Sequence, residues 1–534
     1  MSSMQSNIAP MSEYSKGGTT LPSPLTCAIS AGLLPFVLQY TYTLNCFYYF
    51  GAPYFDAGLF ANLLWHNDWL LTTAHVYNSD HSYLQVHFSP FLMLVNWLSY
   101  IAPTHMVEFY AVFMALIYAS LAAAMCYTLM VCALPTNMWQ VIALGLLATG
   151  FAFNGVVMQG VWMPHFEYAI PAGILMFLVH FKRGNIPWAI FFFALTLSLR
   201  EDAGLHIAAV LFLLIAVQWL RTRSLPSLKP DMAFALAACA YSAIAFGFGF
   251  YLRWIYGTTV SVFQLIYTGT PPYAHLSMQI LGERAMTILR DSCYLYTGLF
   301  VSLAWAIRRR NVYWIIGFAA YMPWFVVNWT AANSNTGVLY AYYAFPFVLS
   351  MGWPCIAILC RYGRKPPYAA VRDALMMQAA LVVIGLTVWN DYDRHIEFGP
   401  KWWARWGSYV ADWWEASPNG EEIDIRPIVR HIAMEVSANQ GLGTVMVDSG
   451  MMSLTMGSTT QQRGLTILPV YDAHAADTIA YFCPVDGPPP KEVSDKARQS
   501  ALSAHYRAID TPLCLFTNRS PEQMGTLARL LERR

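Results

Sequence analysis

Charge is what this chain has least of. Asp, Glu, Lys and Arg make up 11% of its 534 residues, against about 25% in soluble globular domains. With 57% hydrophobic residues, 15% aromatics and a mean hydropathy of +0.41, that shortage excludes an ordinary soluble domain and predicts an integral membrane protein. An excess of one sign is missing as well. A formal net charge of +1 provides no field to gather a polyanion, so nucleic acid is excluded as a partner and charge has to matter by location. The ten cysteines contain neither a CxxC pair nor a metal-type spacing. Eight lie in or beside apolar stretches, where Cys acts as a small hydrophobe; only Cys483 and Cys514 fall in the polar C-terminal part, where export would allow a disulfide. There is no internal repeat, and no low-complexity tract beyond a linker at Pro488–Pro490. A cleavable leader is not expected either: the polar tail 1–24 is followed by an apolar run from about Leu25 to Phe50, longer than a signal-peptide core and without a clear cleavage site.

What the chain does have is long apolar segments. A helix needs about 20 apolar residues to cross a bilayer, and eleven segments qualify as candidates: about 25–50, 106–133, 138–158, 164–181, 186–199, 203–220, 232–256, 285–307, 312–329, 338–360 and 372–390. Simple alternation places Lys182 and Arg183, then Arg221, Arg223 and Lys229, then Arg308, Arg309 and Arg310, then Arg361, Arg364 and Lys365 all on one side. Short basic loops favour the cytoplasm. The N-terminus is then cytoplasmic, and the segment 51–105, the loop 257–284 and everything after about 391 are extracytoplasmic. The stretch Phe88 to Pro103 is apolar but proline-bounded and only 16 residues long, which favours an interfacial or re-entrant helix over a further crossing.

The expected architecture is therefore an α-helical polytopic protein of the inner (plasma) membrane with about 11 transmembrane helices. It divides into a cytoplasmic tail 1–24, a membrane domain 25–392 with an outer loop 51–105, an interfacial segment 393–420 and a small α/β extracytoplasmic domain 421–534. In the interfacial segment, a helix over 401–415 puts Trp402, Trp403, Trp406, Tyr409, Val410, Trp413 and Trp414 on one face and Arg405, Asp412 and Glu415 opposite. That pattern suits a helix lying on the outer leaflet, or alternatively a core-facing helix of the outer domain. In the last domain, Thr444–Val447, Thr478–Phe482 and Leu513–Phe516 read as short strands.

Against this apolar background, eight ionisable residues gather at the extracytoplasmic ends of the segments: Asp56, Asp80, His87, His165, Glu167, Arg200, Glu201 and Asp202. Charge beside a bilayer is costly and usually functional, so the cluster points to a site at that face. Asp56 directly follows the first span, where a carboxylate can act as a general base or hold a metal, or simply cap a helix. His87 opens the run His87-Phe88-Ser89-Pro90 and could titrate or orient a phosphate. His165 and Glu167 stand two residues apart, so on a regular helix they would face different directions. Arg200, Glu201 and Asp202 occupy the tip of a hairpin, either as a neutral salt-bridged knot or with the Arg200 fork on a phosphate and a carboxylate on an acceptor or metal.

These segments, in this order, resemble a family of multi-pass bacterial and archaeal membrane proteins of unassigned function within the GT-C superfamily of membrane glycosyltransferases. The matches are Asp56, Gly58, Phe60 and Trp65 after the first span, then His87, Phe88, Ser89 and Pro90, then His165 and Glu167, then Glu201 and Asp202. The later run Tyr340 to Pro346, with Tyr342 at its centre, is similar to the family's Tyr-then-Pro span, and Gln461-Gln462-Arg463-Gly464 sits where its C-terminal domain often carries an Arg motif. The chain departs from the pattern at Ala61 and Asn62, which replace Asp and Gln, at Phe166, which replaces Pro, and at Arg200, which replaces Lys. Those departures bear on the finer roles.

The resemblance implies transfer of a sugar from a polyprenyl-phosphate-linked donor to an envelope glycan, lipid or protein acceptor outside the cytoplasm. Asp56 would be the base, and inversion at the anomeric carbon would follow from a single displacement. It further implies substrate-binding roles for His87, His165, Glu167, Arg200, Glu201, Asp202 and Tyr342. No cofactor is specified: a divalent cation at the phosphate is one candidate, and no metal ligand set can be named. A membrane transporter and a non-catalytic envelope assembly protein are the alternatives. A transporter is expected to carry charge near the midplane and paired repeats, neither of which this sequence displays.

Overall fold

The computed structural model describes residues 21–48, 60, 63, 71, 82–102, 105–158, 165–223, 229–258, 263–339 and 341–387, and parts of 431–533. The candidate base Asp56, Asp80, the tryptophan-rich segment 401–415 and the Gln461–Gly464 motif lie outside the described residues.

The chain is mostly helical. Its first half contains Pro24–Tyr48 (α1), Pro90–Ser99 (α2), Met106–Ala133 (α3), Met138–Ala152 (α4), Ala169–Lys182 (α5), Ile186–Leu199 (α6), Ala203–Thr222 (α7) and Lys229–Ile255 (α8). Then follow Met278–Asp291 (α9), Cys293–Arg308 (α10), Met322–Trp329 (α11), Pro346–Met351 (α12), Trp353–Tyr362 (α13) and Tyr368–Thr387 (α14). Five of them, α1, α3, α7, α8 and α14, are long and apolar enough to cross a membrane. They coincide with five of the eleven expected segments.

The other expected segments are shorter or interrupted helices. Segments 138–158, 164–181 and 186–199 hold α4, α5 and α6, of 15, 14 and 14 residues. Segments 312–329 and 338–360 are broken where Pro323, Pro346 and Pro354 each sit in the first turn of a new helix. Proline lacks the N–H that continuation would require, and so restarts a helix more readily than it extends one. The stretch 88–103 yields α2, whose 10 residues span about 15 Å, half the hydrocarbon thickness. Ser89 starts it by accepting the Leu92 N–H at 3.2 Å, with Pro90 in the first turn.

Small residues let the helices approach closely. Gly32 of α1 faces the Ala119 carbonyl of α3, Gly173 of α5 faces Thr196 of α6, and Gly204 of α7 faces the Ala238 carbonyl and Ser242 of α8. A methyl group at Gly204 would enter that carbonyl, which is backbone and cannot rotate away. Gly204→Ala is therefore expected to destabilise the protein by about 1–3 kcal/mol, as overpacking does, read as a lowered thermal midpoint in detergent. Gly247→Ala on α8, where a Cβ would meet nothing within 4 Å, is the control and should leave the midpoint unchanged or raised.

Near the C-terminus lies a small six-stranded sheet: Val445–Val447 (β1), Ile467–Pro469 (β2), Thr478–Phe482 (β3), Ala504–Ala508 (β4), Leu513–Thr517 (β5) and Leu531–Arg533 (β6), in the order β2-β1-β3-β5-β4-β6. β1 runs parallel to β2 and β3, and the remaining pairs are antiparallel. Asp477, just ahead of β3, accepts the Thr444 N–H at 3.0 Å and pairs with Arg519 at 2.7 Å, tying the ends of β1, β3 and β5 together. Cys514 in β5 is disulfide-bonded; Cys483 lies outside the described residues. Cys27, Cys126, Cys132, Cys239, Cys293, Cys355 and Cys360 are buried or partly buried, as expected of apolar-segment cysteines.

Candidate functional site

The site begins with the turn between α6 and α7. Leu199 ends one helix, Arg200 is extended (φ −160°, ψ 158°), and Asp202 occupies the N-terminal cap position of the next. A carboxylate there meets the positive end of the helix dipole. The tight turn also folds the Arg200 side chain back onto Asp202. Its Nε donates to Asp202 Oδ1 at 2.7 Å and its Nη2 to Oδ2, a two-pronged pair. Its Nη1 reaches Glu167 Oε1 at 2.8 Å. Three of the five guanidinium N–H donors are thereby engaged.

His165 and Glu167 do meet, although two residues apart. His165 is extended and is followed by a 3-10 turn, Phe166–Tyr168, before α5 begins. That irregular backbone brings His165 Nδ1 to 3.0 Å from Glu167 Oε2. Glu201 turns the other way: its Oε1 lies 2.8 Å from His87 Nδ1 and its Oε2 accepts the Phe88 N–H at 2.9 Å. One turn into α7, His206 places Nε2 3.5 Å from Asp202 Oδ2.

Rings complete the arrangement. Tyr342 stacks on His165 with centroids 3.7 Å apart, and Phe60 meets the same imidazole edge-on at 5.7 Å. The Arg200 guanidinium lies over the Phe345 ring at 5.5 Å. His206 is enclosed by Tyr321, Trp324 and Phe345, and Trp324 Nε1 donates to the Tyr343 carbonyl at 3.0 Å, fixing the turn that carries Tyr342 against α11.

His165, Glu167, Arg200, Glu201, Asp202 and His206 are all buried. Buried charges persist only when paired and hydrogen-bonded, and here each carboxylate has a cation, an imidazole or a backbone N–H. Burial pushes the Asp202 carboxyl up, but Arg200 first and then His206 outweigh that and hold it well below the usual carboxylate range. Among the described residues no group of three or more His, Cys, Asp or Glu side chains is disposed to hold a metal ion. The carboxylate oxygens here face Arg200, imidazoles and the Phe88 N–H.

Seven residues picked out from the sequence, His87, His165, Glu167, Arg200, Glu201, Asp202 and Tyr342, thus form one continuous cluster drawn from four distant segments. Phe60, from the segment that carries Asp56, packs against it. His206 and Phe345 belong to it but were not anticipated. His206 had a legible signal, since it stands four residues after Asp202 and so shares its helical face.

Beside the cluster runs an apolar groove of about 900 Å³, walled by α1, α2, α3, α5 and α6. Its α3 wall extends from Phe109 to Tyr127, about 27 Å of helix and close to the depth of bilayer hydrocarbon. One end is formed by Ala169 and Leu199, immediate sequence neighbours of the Glu167 and Arg200 region. The other end carries His180, Asn185 and Ser23.

No family model matches the chain, and neither a curated protein nor a solved structure matches it.

Proposed function

We propose that the protein is a polytopic membrane glycosyltransferase of GT-C type that moves a sugar from a polyprenyl-phosphate donor to an envelope glycan, lipid or protein acceptor on the extracytoplasmic side of the inner membrane, with inversion. The observation that carries this reading is the meeting of a bilayer-deep apolar groove with a buried cluster of charge at its end. A substrate with a very long hydrocarbon tail and a polar head has a place for each part. Retaining three carboxylates, an arginine and three histidines beside so apolar a wall is costly, which favours function over scaffolding. In this reading the five long helices and the shorter or broken ones together supply about eleven crossings, with the basic loops cytoplasmic.

The cluster divides the labour. His165, stacked on Tyr342 and bonded to Glu167, holds that carboxylate and the late aromatic segment in place behind the sugar site. Two Arg200 N–H donors make no hydrogen bond to any described residue and serve a phosphate oxygen, while its fork keeps Glu167 and Asp202 in place. The acceptor hydroxyl loses its proton to a base on the aqueous side, the role for which the sequence nominates Asp56. The purified protein in proteoliposomes, given radiolabelled polyprenyl-phosphate sugars, should transfer label to an envelope fraction or to an alkyl glycoside. Ion-gradient-dependent uptake without transfer would replace this reading with transport.

A further inference from the structure

His87 differs from the other two histidines of the cluster in one respect that matters for chemistry: it has a buried partner and an open side. Its side chain is 30% exposed, whereas Glu201 beside it is 9% exposed. Glu201 is held at both oxygens by one short segment, Oε1 by His87 Nδ1 and Oε2 by the Phe88 N–H. The carboxylate cannot rotate off the imidazole without abandoning a backbone donor. With the Nδ1 proton directed at Glu201, the lone pair of the neutral ring is on Nε2, and Nε2 makes no hydrogen bond to any described residue. His165 is covered by Tyr342 and Phe60, and His206 by three aromatic rings.

Position supports the same conclusion. His87 immediately precedes the Ser89 cap of α2, and Phe91, Leu94, Val95 and Leu98 of that helix line the apolar groove. His87 thus stands four positions before Phe91, the first residue of that helix to line the wall where a lipid tail would lie. A carboxylate that fixes the tautomer of an imidazole and stabilises its cation is the arrangement by which a histidine becomes an effective proton acceptor. An imidazole is also a stronger base near neutral pH than an ordinary carboxylate.

We infer that the acceptor's proton passes to His87 Nε2 in place of Asp56, with Glu201 as the positioning residue behind it. Resting on the glycosyl-transfer reading, the step is a single displacement. The acceptor oxygen forms a bond to the anomeric carbon as its proton moves to Nε2. The bond from that carbon to the phosphate oxygen breaks, and its electron pair leaves on polyprenyl phosphate. The imidazolium, balanced by Glu201, then returns the proton to water. The other charged or titratable groups facing the pair are Tyr83, whose ring lies 5.7 Å from the His87 imidazole, and Glu167, Arg200, Arg253, Tyr241 and Tyr267.

Two measurements test this, one of them independent of turnover. Diethyl pyrocarbonate applied to the intact protein should modify His87 at least tenfold faster than His165 or His206, by peptide mass spectrometry, and Glu201→Gln should slow that modification. With polyprenyl-phosphate hexoses or pentoses and an alkyl glycoside acceptor, His87→Gln should lower kcat by about 10²–10⁴-fold with KM little changed, and should remove the acid limb of the pH–rate profile. Added imidazole should restore part of the rate to His87→Ala, which a purely structural histidine would not allow. A His87→Gln protein with wild-type kcat overturns the assignment, as does loss of rate in Asp56→Asn alone. If His87 is not modified faster than the covered histidines, the dyad itself is refuted. If it is, and its rate depends on Glu201, yet no polyprenyl-phosphate sugar turns over, the glycosyl-transfer reading falls while the reactive pair stands.

Discussion

Arg200→Met should destabilise the protein by about 3–5 kcal/mol, the usual result of removing one partner from a buried ion pair. Methionine replaces the aliphatic stem and ends about where Nε lies, so what is lost is the guanidinium over the Phe345 ring and, with it, the cation. Asp202 would give up both donors of the guanidinium fork and Glu167 the Nη1 donor, leaving two carboxylates in a water-poor pocket with imidazoles alone for compensation. Arg200→Lys should recover only part of the stability, because an ammonium cannot address both oxygens of Asp202 and reach Glu167 at once. The informative comparison is the triple variant Arg200→Met, Glu167→Gln, Asp202→Asn. Replacing a whole buried ionic group with neutral residues is often close to neutral, so its thermal midpoint in detergent should lie well above that of the single variant. A single variant melting with the wild type would mean that the network contributes nothing to holding the hairpin.

The helical class was legible because it rests on composition and on long apolar runs, which a bilayer-depth helix cannot do without. The five longest helices appear where those runs lie. The breaks in 312–329 and 338–360 were harder to see, since mean apolarity over a window does not register that a single proline restarts a helix. In the sheet, β1, β3 and β5 were visible as β-branched or aromatic runs, whereas Ile467–Pro469, Ala504–Ala508 and Leu531–Arg533 are too short or too mixed to announce themselves and depend on their neighbours. Within the candidate site the identities of the charged residues could be read, but not their pairings. Nothing local links Glu201 to His87, 114 positions earlier, and the contact of His165 with Glu167 relies on a 3-10 turn that a regular helix would have forbidden. Tyr342 came from the order of motifs; its stacking on His165 came from the fold.

The same hairpin should make the protein acid-sensitive in a way that reverses in the Arg200→Met variant. Burial alone would raise the Asp202 carboxyl, but Arg200 and His206 hold it well below its ordinary value, so the folded chain binds that proton less readily than the unfolded chain. Its contribution to stability is fully present above the unfolded value of about 3.9 and is lost as pH falls from there toward the folded value, by about 1.4 kcal/mol per pH unit for one such group. Thermal midpoints in detergent should therefore be insensitive to Asp202 between pH 7 and 5 and fall steeply below about pH 4, while Asp202→Asn should flatten that fall. In Arg200→Met the sign changes. Without the guanidinium, burial, the largest influence on Asp202, is opposed by His206 alone; the folded chain is then expected to take up the proton more readily than the unfolded one, and mild acid should stabilise the variant relative to its own value at pH 7. Opposite slopes for the two proteins across the carboxylate range would identify the Arg200–Asp202 pair, and not general acid damage, as the cause; parallel slopes would assign the acid response to other groups.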